Sequence, residues 1–332
     1  MTLLKQNEKL VLLIYVVLAI IMLCSSLYFA TSIQQRNKTL LTNRIHVIHT
    51  SGDIEEDFQE KYNKNSDKIG YFDVDSYNPT INSSTIVPND WNNIANDILT
   101  SYDKYDGFII VTGKDTMTYT ASALAFMLEN LNKPVILTDK QLLEALILLS
   151  QTKIGEVMIL SQGKLLRGCR SILKSTEYFD SPNFPPLNNK NALTVGKEPM
   201  NVKYVNPKIN VILVKVFPGM DSKYLSSLAT NNEIHGIVFE IYSSGNIPTD
   251  KNILSIINTL AKKGVVMIAV LQCNSIDKKD IDVRLLEAGV LSGGDMTTSA
   301  AFAKLHFLLG NVKEKKLIGK LIEQSFRGEM TI

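Results

Sequence analysis

Apolar residues recur along most of the chain in two patterns: short β-branched runs, and longer stretches with apolar positions three or four residues apart. The first pattern is typical of buried strands and the second of helices. Their alternation from Arg44 onward favours a parallel sheet with crossover helices. We therefore predict an α/β protein with strands at Arg44–His49, Phe108–Val111, Val135–Leu137, Glu156–Leu160, Val211–Val216, Ile237–Ile241 and Val265–Ala269.

The helical stretches separate these strands and group them into two domains. A polar segment rich in Asn, Lys and Pro, residues 188–207, is predicted to link an N-terminal domain over 44–187 to a smaller, Rossmann-like C-terminal domain over 208–332. Pro88 followed by Asn89 and Asp90 supplies a helix start. Helices are predicted at Asp90–Tyr102, Thr118–Leu131, Ser222–Leu228, Asn252–Lys262 and Thr298–Leu309.

The most apolar part of the chain precedes both domains. Leu10–Ala30 contains 21 residues without a charge or a proline, which is enough to cross about 30 Å of hydrocarbon at about 1.5 Å per helical residue. We predict a single-pass transmembrane helix that contacts membrane lipid, between an N-terminal tail over 1–9 and a juxtamembrane linker over 31–43. The alternative, a cleaved signal peptide, usually has an apolar region of about 7–15 residues.

Composition narrows the classes of partner. The net charge of +2 over 332 residues gives no reason to expect a nucleic-acid partner. Three dispersed cysteines, Cys24, Cys169 and Cys273, are too few for a disulfide framework or a zinc site. We expect no metal.

The strand-exit loops carry a family pattern that extends over nearly the whole chain after Arg44. Tyr105–Thr138 is similar to the type I L-asparaginase pattern around H-G-T-D-T-M, and Gly163–Pro186 resembles that around R-G-N-R-T-T-K. Further matches are Tyr242–Pro248 and Phe326–Thr331. The resemblance implies an asparaginase-like two-domain fold that hydrolyses asparagine through a threonine hydroxyl, without a cofactor and as a homo-oligomer.

The departures from the family pattern fall on its reactive positions. T-G-G-T-I reads Thr50–Ile54 here, with Asp53 at the position of the attacking threonine. Lys114 replaces the second threonine, and Leu173 stands where the family has its lysine. Asp115, which matches the residue that holds the substrate amine, is kept. Ser83 matches a substrate-binding serine and Asn246 an asparagine presented near a neighbouring subunit's site, so these three are expected as a ligand-binding remnant.

A carboxylate at the attacking position changes the chemistry. Attack by Asp53 on an amide would form an anhydride, and its charge would repel the substrate carboxylate. We predict instead that Asp53 and Lys114 form an ion pair in the former pocket, so that none of Asp53, Lys114, Asp115 and Leu173 is catalytic.

These observations predict a membrane-anchored, inactive asparaginase homologue. Its expected role is that of an accessory subunit of a membrane complex, in the mitochondrial inner membrane as one possibility. Two alternatives stay open. The first is an active amidohydrolase in which Asp53 activates water and Lys114 stabilises developing charge. The second is an amino-acid-binding sensor.

Overall fold

A six-stranded sheet forms the centre of the N-terminal domain. The computed structural model describes residues 20–28, 43–51, 58–194, 196–248, 251–273 and 281–331. The strand order is β2-β1-β3-β5-β6-β7, in which β7 runs antiparallel to β6 and the other neighbours are parallel. These strands are β1 Arg44–His49, β2 Tyr71–Ser76, β3 Gly107–Val111, β5 Val135–Thr138, β6 Val157–Ser161 and β7 Lys164–Arg167.

Helices cover both faces of this sheet. All five residues of β3 and of β6 are buried, as expected for strands packed on two sides. Ten of the eleven residues of α3 are buried, because its sequence MTYTASALAFM is apolar or small all round. The helices of this domain are α1 Phe58–Asn65, α2 Pro88–Ser101, α3 Met117–Met127 and α4 Leu142–Gln151.

A four-stranded parallel sheet, in the order β11-β12-β13-β14, forms the C-terminal domain. Its strands are β11 Val211–Lys215, β12 Gly236–Ile241, β13 Val266–Leu271 and β14 Val290–Ser292. Its helices are α5 Ser222–Thr230, α6 Lys251–Lys262, α7 Val283–Glu287, α8 Thr298–Asn311 and α9 Lys315–Ile322. Two short antiparallel ladders join β4 Leu128–Glu129 to β10 Asn201–Val202 and β8 Ile172–Leu173 to β9 Phe179–Asp180.

The two domains share one apolar core. Helix α3 packs against α8, where the rings of Phe126 and Phe307 lie 6.2 Å apart and those of Tyr119 and Phe302 lie 5.7 Å apart. The buried cluster around them continues to Val238 and Ile268 in the second sheet. The junction is therefore a packed interior.

The predicted α/β architecture with a parallel sheet is confirmed, and each predicted strand has an observed counterpart. Strand β2 was not predicted, because it lies at an exposed edge and its sequence YFDVDS has no buried face. The polar segment 188–207 contains β10, which pairs with the N-terminal domain. The domain boundaries at 187 and 208 stay a prediction.

The predicted membrane span needs a correction. Of Leu10–Ala30 the structure describes only residues 20–28, which are helical, and the rest lies outside the described residues. In the part of the chain that the structure describes, no helix is long and apolar enough to cross a membrane. A span takes about 20 apolar residues, since each helical residue adds only about 1.5 Å. The predicted single-pass membrane localisation, with its mitochondrial placement, is therefore wrong.

Candidate functional site

The loops that follow β1 and β3 meet at the carboxyl edge of the first sheet. The backbone N–H groups of Thr50 and Ser51 both donate to Val111 O, at 3.0 and 3.3 Å, which carries the first loop over the end of β3. Ser51 Oγ accepts from the Gly113 N–H at 3.1 Å and lies 3.5 Å from Thr112 Oγ1. Ser51 is buried. These contacts place a hydroxyl where ligands bind in open α/β sheets.

Ser83 reaches the same place from the segment after β2. The side chain of Asn82 accepts from Ser84 N at 3.0 Å and begins the short 3₁₀ turn that presents Ser83. Thr116 Oγ1 donates to Ser83 O at 2.7 Å, and the Ser83 side chain lies against Cα of Gly113. Asp115 is exposed beside it. The structure thus brings Ser83 and Asp115, two predicted ligand-binding residues, to one edge.

The side chain of Lys114 contacts two other loops. Its Nζ donates to Thr176 O at 3.1 Å and lies 3.5 Å from Asp139 Oδ2. Asp139 directly follows β5, and its side chain is only 14% exposed. Asp53, the predicted partner of Lys114, lies outside the described residues, so that ion pair stays a prediction.

An amine therefore stands beside the loop that follows Leu173. Leu173 itself is 38% exposed and supplies no charge. Thr176, which binds Lys114, is three residues further on. In the family pattern a lysine occupies the position of Leu173, whereas here Lys114 brings its ammonium group to this loop from the end of β3.

Two cavities lie near β6. One of about 300 Å³ lies at the amino end of the strand, away from Lys114, and the second, of about 230 Å³, adjoins Lys114. The floor of this second cavity is held by Ser161, whose Oγ donates to Phe179 O at 2.8 Å and accepts from Phe179 N at 3.0 Å. Its lining residues are Lys114, Asp139, Lys140, Gln141, Leu160, Ser161, Gln162, Glu177 and Phe179.

One predicted position, Asn246, stands apart from this edge, and several residues of the edge were missed. Asn246 lies after β12 in the other domain and donates to Ser244 Oγ at 3.3 Å. Asp139, Ser161 and Glu177 were not predicted; only the position of Asp139, two residues after the predicted strand Val135–Leu137, could have indicated it. Within the described ranges, no group of three or more His, Cys, Asp or Glu side chains could hold a metal ion.

Gly113 tests how tightly these loops pack. Its backbone is in an ordinary extended conformation, with φ −67°, but a Cβ there would lie 2.7 Å from Ser83 Cβ and closer still to its Oγ. We expect Gly113→Ala to lower the free energy of unfolding, measured in urea, by about 1–3 kcal/mol. The matched control is Gly319→Ala within α9, where a Cβ meets nothing closer than 3.9 Å. That variant should be as stable as the parent or more so, and equal effects of the two substitutions would contradict the packing described.

The chain is similar to known proteins over nearly all of this architecture. Two family models match, "Asparaginase, N-terminal" over residues 41–201 and "Glutaminase/Asparaginase C-terminal domain" over residues 210–322. L-asparaginase 1 of Escherichia coli (strain K12) is 34% identical over 289 residues, which cover 78% of this chain and 85% of that protein.

Solved structures agree. L-asparaginase I from Vibrio cholerae O1 biovar eltor superimposes with a TM-score of 0.80 at 32% identity, covering 88% of this chain and 100% of that one. The thermostable L-asparaginase from Thermococcus kodakarensis gives a TM-score of 0.74 at 25% identity, covering 87% and 99%.

These relatives overturn one prediction. The chain was expected to be an inactive homologue, but the similar proteins are L-asparaginases, which are enzymes. The expectation had rested on the residues lost at the family's reactive positions, whereas an amine from Lys114 stands at the corresponding loop. The prediction of inactivity is therefore wrong. The accessory-subunit role had rested on inactivity and on the membrane span, and loses its support.

Proposed function

The chain belongs to the asparaginase family, and on that premise we propose that it is an amidohydrolase that cleaves the side-chain amide of asparagine-like amino acids. The observation that carries this proposal is the Lys114 ammonium group at the cavity beside the hydroxyl-lined loops. A fixed cation stabilises the negative charge that develops on a carbonyl oxygen under attack. Asp139, at 3.5 Å from Lys114 Nζ, keeps that cation in place.

The remaining side chains at this edge suit an amino-acid substrate. The hydroxyl of Ser83 can donate to an α-carboxylate, and the exposed carboxylate of Asp115 can accept from an α-ammonium group. Asp115 follows Lys114 in the sequence, and Ser83 packs against Gly113, the residue before Lys114. A substrate held by its α-groups at Ser83 and Asp115 would thus present its side-chain amide toward Lys114.

The general base of the proposed reaction is Asp53, because its sequence position matches that of the attacking threonine in the family pattern. It would take a proton from water while the water oxygen attacks the amide carbon, and Lys114 would stabilise the oxyanion. Collapse breaks the C–N bond, and the proton passes to the leaving amine. Direct attack by water avoids the anhydride that nucleophilic attack by Asp53 would require.

The proposal further includes a homo-oligomer. Asn246 is exposed on the C-terminal domain, and its own chain does not bring it to the edge around Gly113 through any hydrogen bond among the described residues. A second copy would supply Asn246 to that edge. Light scattering of the purified chain would contradict this part of the proposal if it gave a monomer at the concentrations that support turnover.

We expect the full chain to release ammonia from asparagine in a coupled assay, and Lys114→Ala to lower kcat by about 100-fold or more. Asp53→Asn should lower it by about 10²–10⁴-fold, the usual contribution of a positioned base. The control is Lys153→Ala, an exposed lysine between α4 and β6 at the opposite edge of the sheet, which should keep full activity. Binding of asparagine by calorimetry without ammonia release would favour the sensor and refute the enzyme.

A further inference from the structure

The cavity beside Lys114 is open because the segments around it are short. Three residues, 139–141, connect β5 to α4, and a tight turn at Gln162 and Gly163 connects β6 to β7. Among the described residues, no connection of greater length covers the carboxyl end of β6. The space of about 230 Å³ that results is far more than the room for one water-sized molecule that released ammonia requires.

The cavity lies on the leaving-group side of the site. Ser83 packs against Gly113 on one side of Lys114, whereas Asp139 and the loop with Thr176 and Glu177 lie on the other. With the substrate's α-groups at Ser83 and Asp115, as in the proposed function, the amide carbon sits at Lys114. Any substituent on the amide nitrogen then extends into the cavity.

We infer that this cavity binds the amine half of a secondary amide, so that the preferred substrates are β-aspartyl dipeptides with a polar second residue. This inference rests on the proposed function and specifies its substrate class. Hydrolysis needs only water. The water oxygen bonds to the β-carbonyl carbon, the C–N bond breaks, and the leaving amino acid takes the proton, giving aspartate and a free amino acid.

The lining chemistry matches such a leaving group. Seven of the nine lining residues are polar or charged, whereas Leu160 and Phe179 are only 2% and 6% exposed, so the surface that meets a leaving side chain is mainly polar. Lys140, at the exposed mouth, offers a cation to the terminal carboxylate that a β-aspartyl dipeptide carries and ammonia lacks. Asp139 and Glu177 balance the two lysines, so the cavity as a whole suits a neutral or dipolar group.

The test compares three substrates on the full chain: β-aspartyl-serine, its α-linked isomer aspartyl-serine, and asparagine. We expect kcat/KM for β-aspartyl-serine to exceed that for asparagine by about tenfold or more, the gain expected from a charge-assisted contact between Lys140 and the terminal carboxylate. The α-linked isomer has the same atoms but presents no amide to Lys114, and it should not be cleaved.

A second experiment tests the contribution of the Lys140 charge to substrate preference. Lys140→Glu should lower the ratio of the two kcat/KM values, β-aspartyl-serine over asparagine, by about tenfold. The matched control Lys164→Glu changes an exposed lysine on β7 that does not line the cavity, and should leave the ratio unchanged. Turnover of asparagine with no preference for the dipeptide, or a ratio that Lys140→Glu does not move, overturns this inference alone. Turnover of neither substrate overturns the proposed function with it.

Discussion

Lys304→Met is expected to lower the free energy of unfolding by about 3–5 kcal/mol, because it leaves a buried carboxylate without its cation. The Nζ of Lys304 lies 2.7 Å from Glu329 Oε1, and both side chains are fully buried. Nζ also donates to the carbonyl oxygens of Ile322 and Gln324, at 2.8 and 2.6 Å. Burial lowers the pKa of Lys304, and Glu329 opposes that shift only in part. The carboxylate in turn anchors the C-terminal segment, accepting from Arg327 N at 2.8 Å.

Urea denaturation followed by circular dichroism measures this loss, with Lys316→Met, an exposed lysine on α9, as the matched control. The double variant Lys304→Met/Glu329→Gln should recover part of the loss, since it removes both charges together. Should Lys304→Met fold but unfold at about the urea midpoint of the control, the pair does not carry the stability assigned to it.

Asp295→Ala is expected to cost a similar amount, about 3–5 kcal/mol, because it isolates a buried arginine at the junction of the domains. Asp295 Oδ2 lies 2.8 Å from Arg170 Nη1, with side chains 4% and 3% exposed. The other contacts of Asp295 hold the C-terminus, since Thr331 donates to it from its N–H at 2.7 Å and from its hydroxyl at 2.6 Å. Arg170 precedes the loop whose Thr176 binds Lys114, so activity should fall as well.

The effect of Asp295→Ala should depend on pH in a defined direction. Burial by itself raises the pKa of Asp295, but hydrogen bonds from Thr331 and Arg170 outweigh it and hold that pKa below its usual value. The stabilisation is then complete above the unfolded pKa of about 3.9 and is lost as the pH falls through the lower folded pKa. Denaturation at pH 7 and at pH 3 should show a smaller difference between variant and parent at the lower pH. The exposed Asp103→Ala is the control, and a difference that grows on acidification would contradict this assignment.

The central strands were predictable because a strand that is buried on both faces has a continuous run of apolar residues in the sequence. Residues Ile109 and Ile136, for example, are completely buried and belong to continuous β-branched runs. Strand β2 has no such apolar run, since it is an edge strand that contains Asp73 and Asp75 and exposes both faces. Helix α3 was placed within a few residues, although it is buried all round and not amphipathic. Of the apolar run Leu10–Ala30 the structure describes only residues 20–28, which are helical.

The candidate site likewise has a part that the sequence predicted and a part that it did not. The sequence alone indicated the strand-exit loops as the place to look for a site, because ligands of parallel sheets bind at the carboxyl ends of strands, and it named Ser83, Lys114 and Asp115 as candidate positions there. The sequence predicted Asp53, in the neighbouring loop, as the ion-pair partner of Lys114. The structure supplies Asp139 and Thr176, which lie 25 and 62 residues further along the chain, and no local pattern encodes such a distance.

The buried charges show the same limit most clearly. Lys304 and Glu329, and Arg170 and Asp295, look like ordinary polar residues in the sequence, and the second pair is separated by 125 positions. Thus the sequence determined the buried strands, several of the helices between them and the edge of the sheet that carries the candidate site, because these depend on local periodicity and burial. The tertiary structure decided which charges meet and where the cavity opens, since both depend on segments that only the packed core brings together.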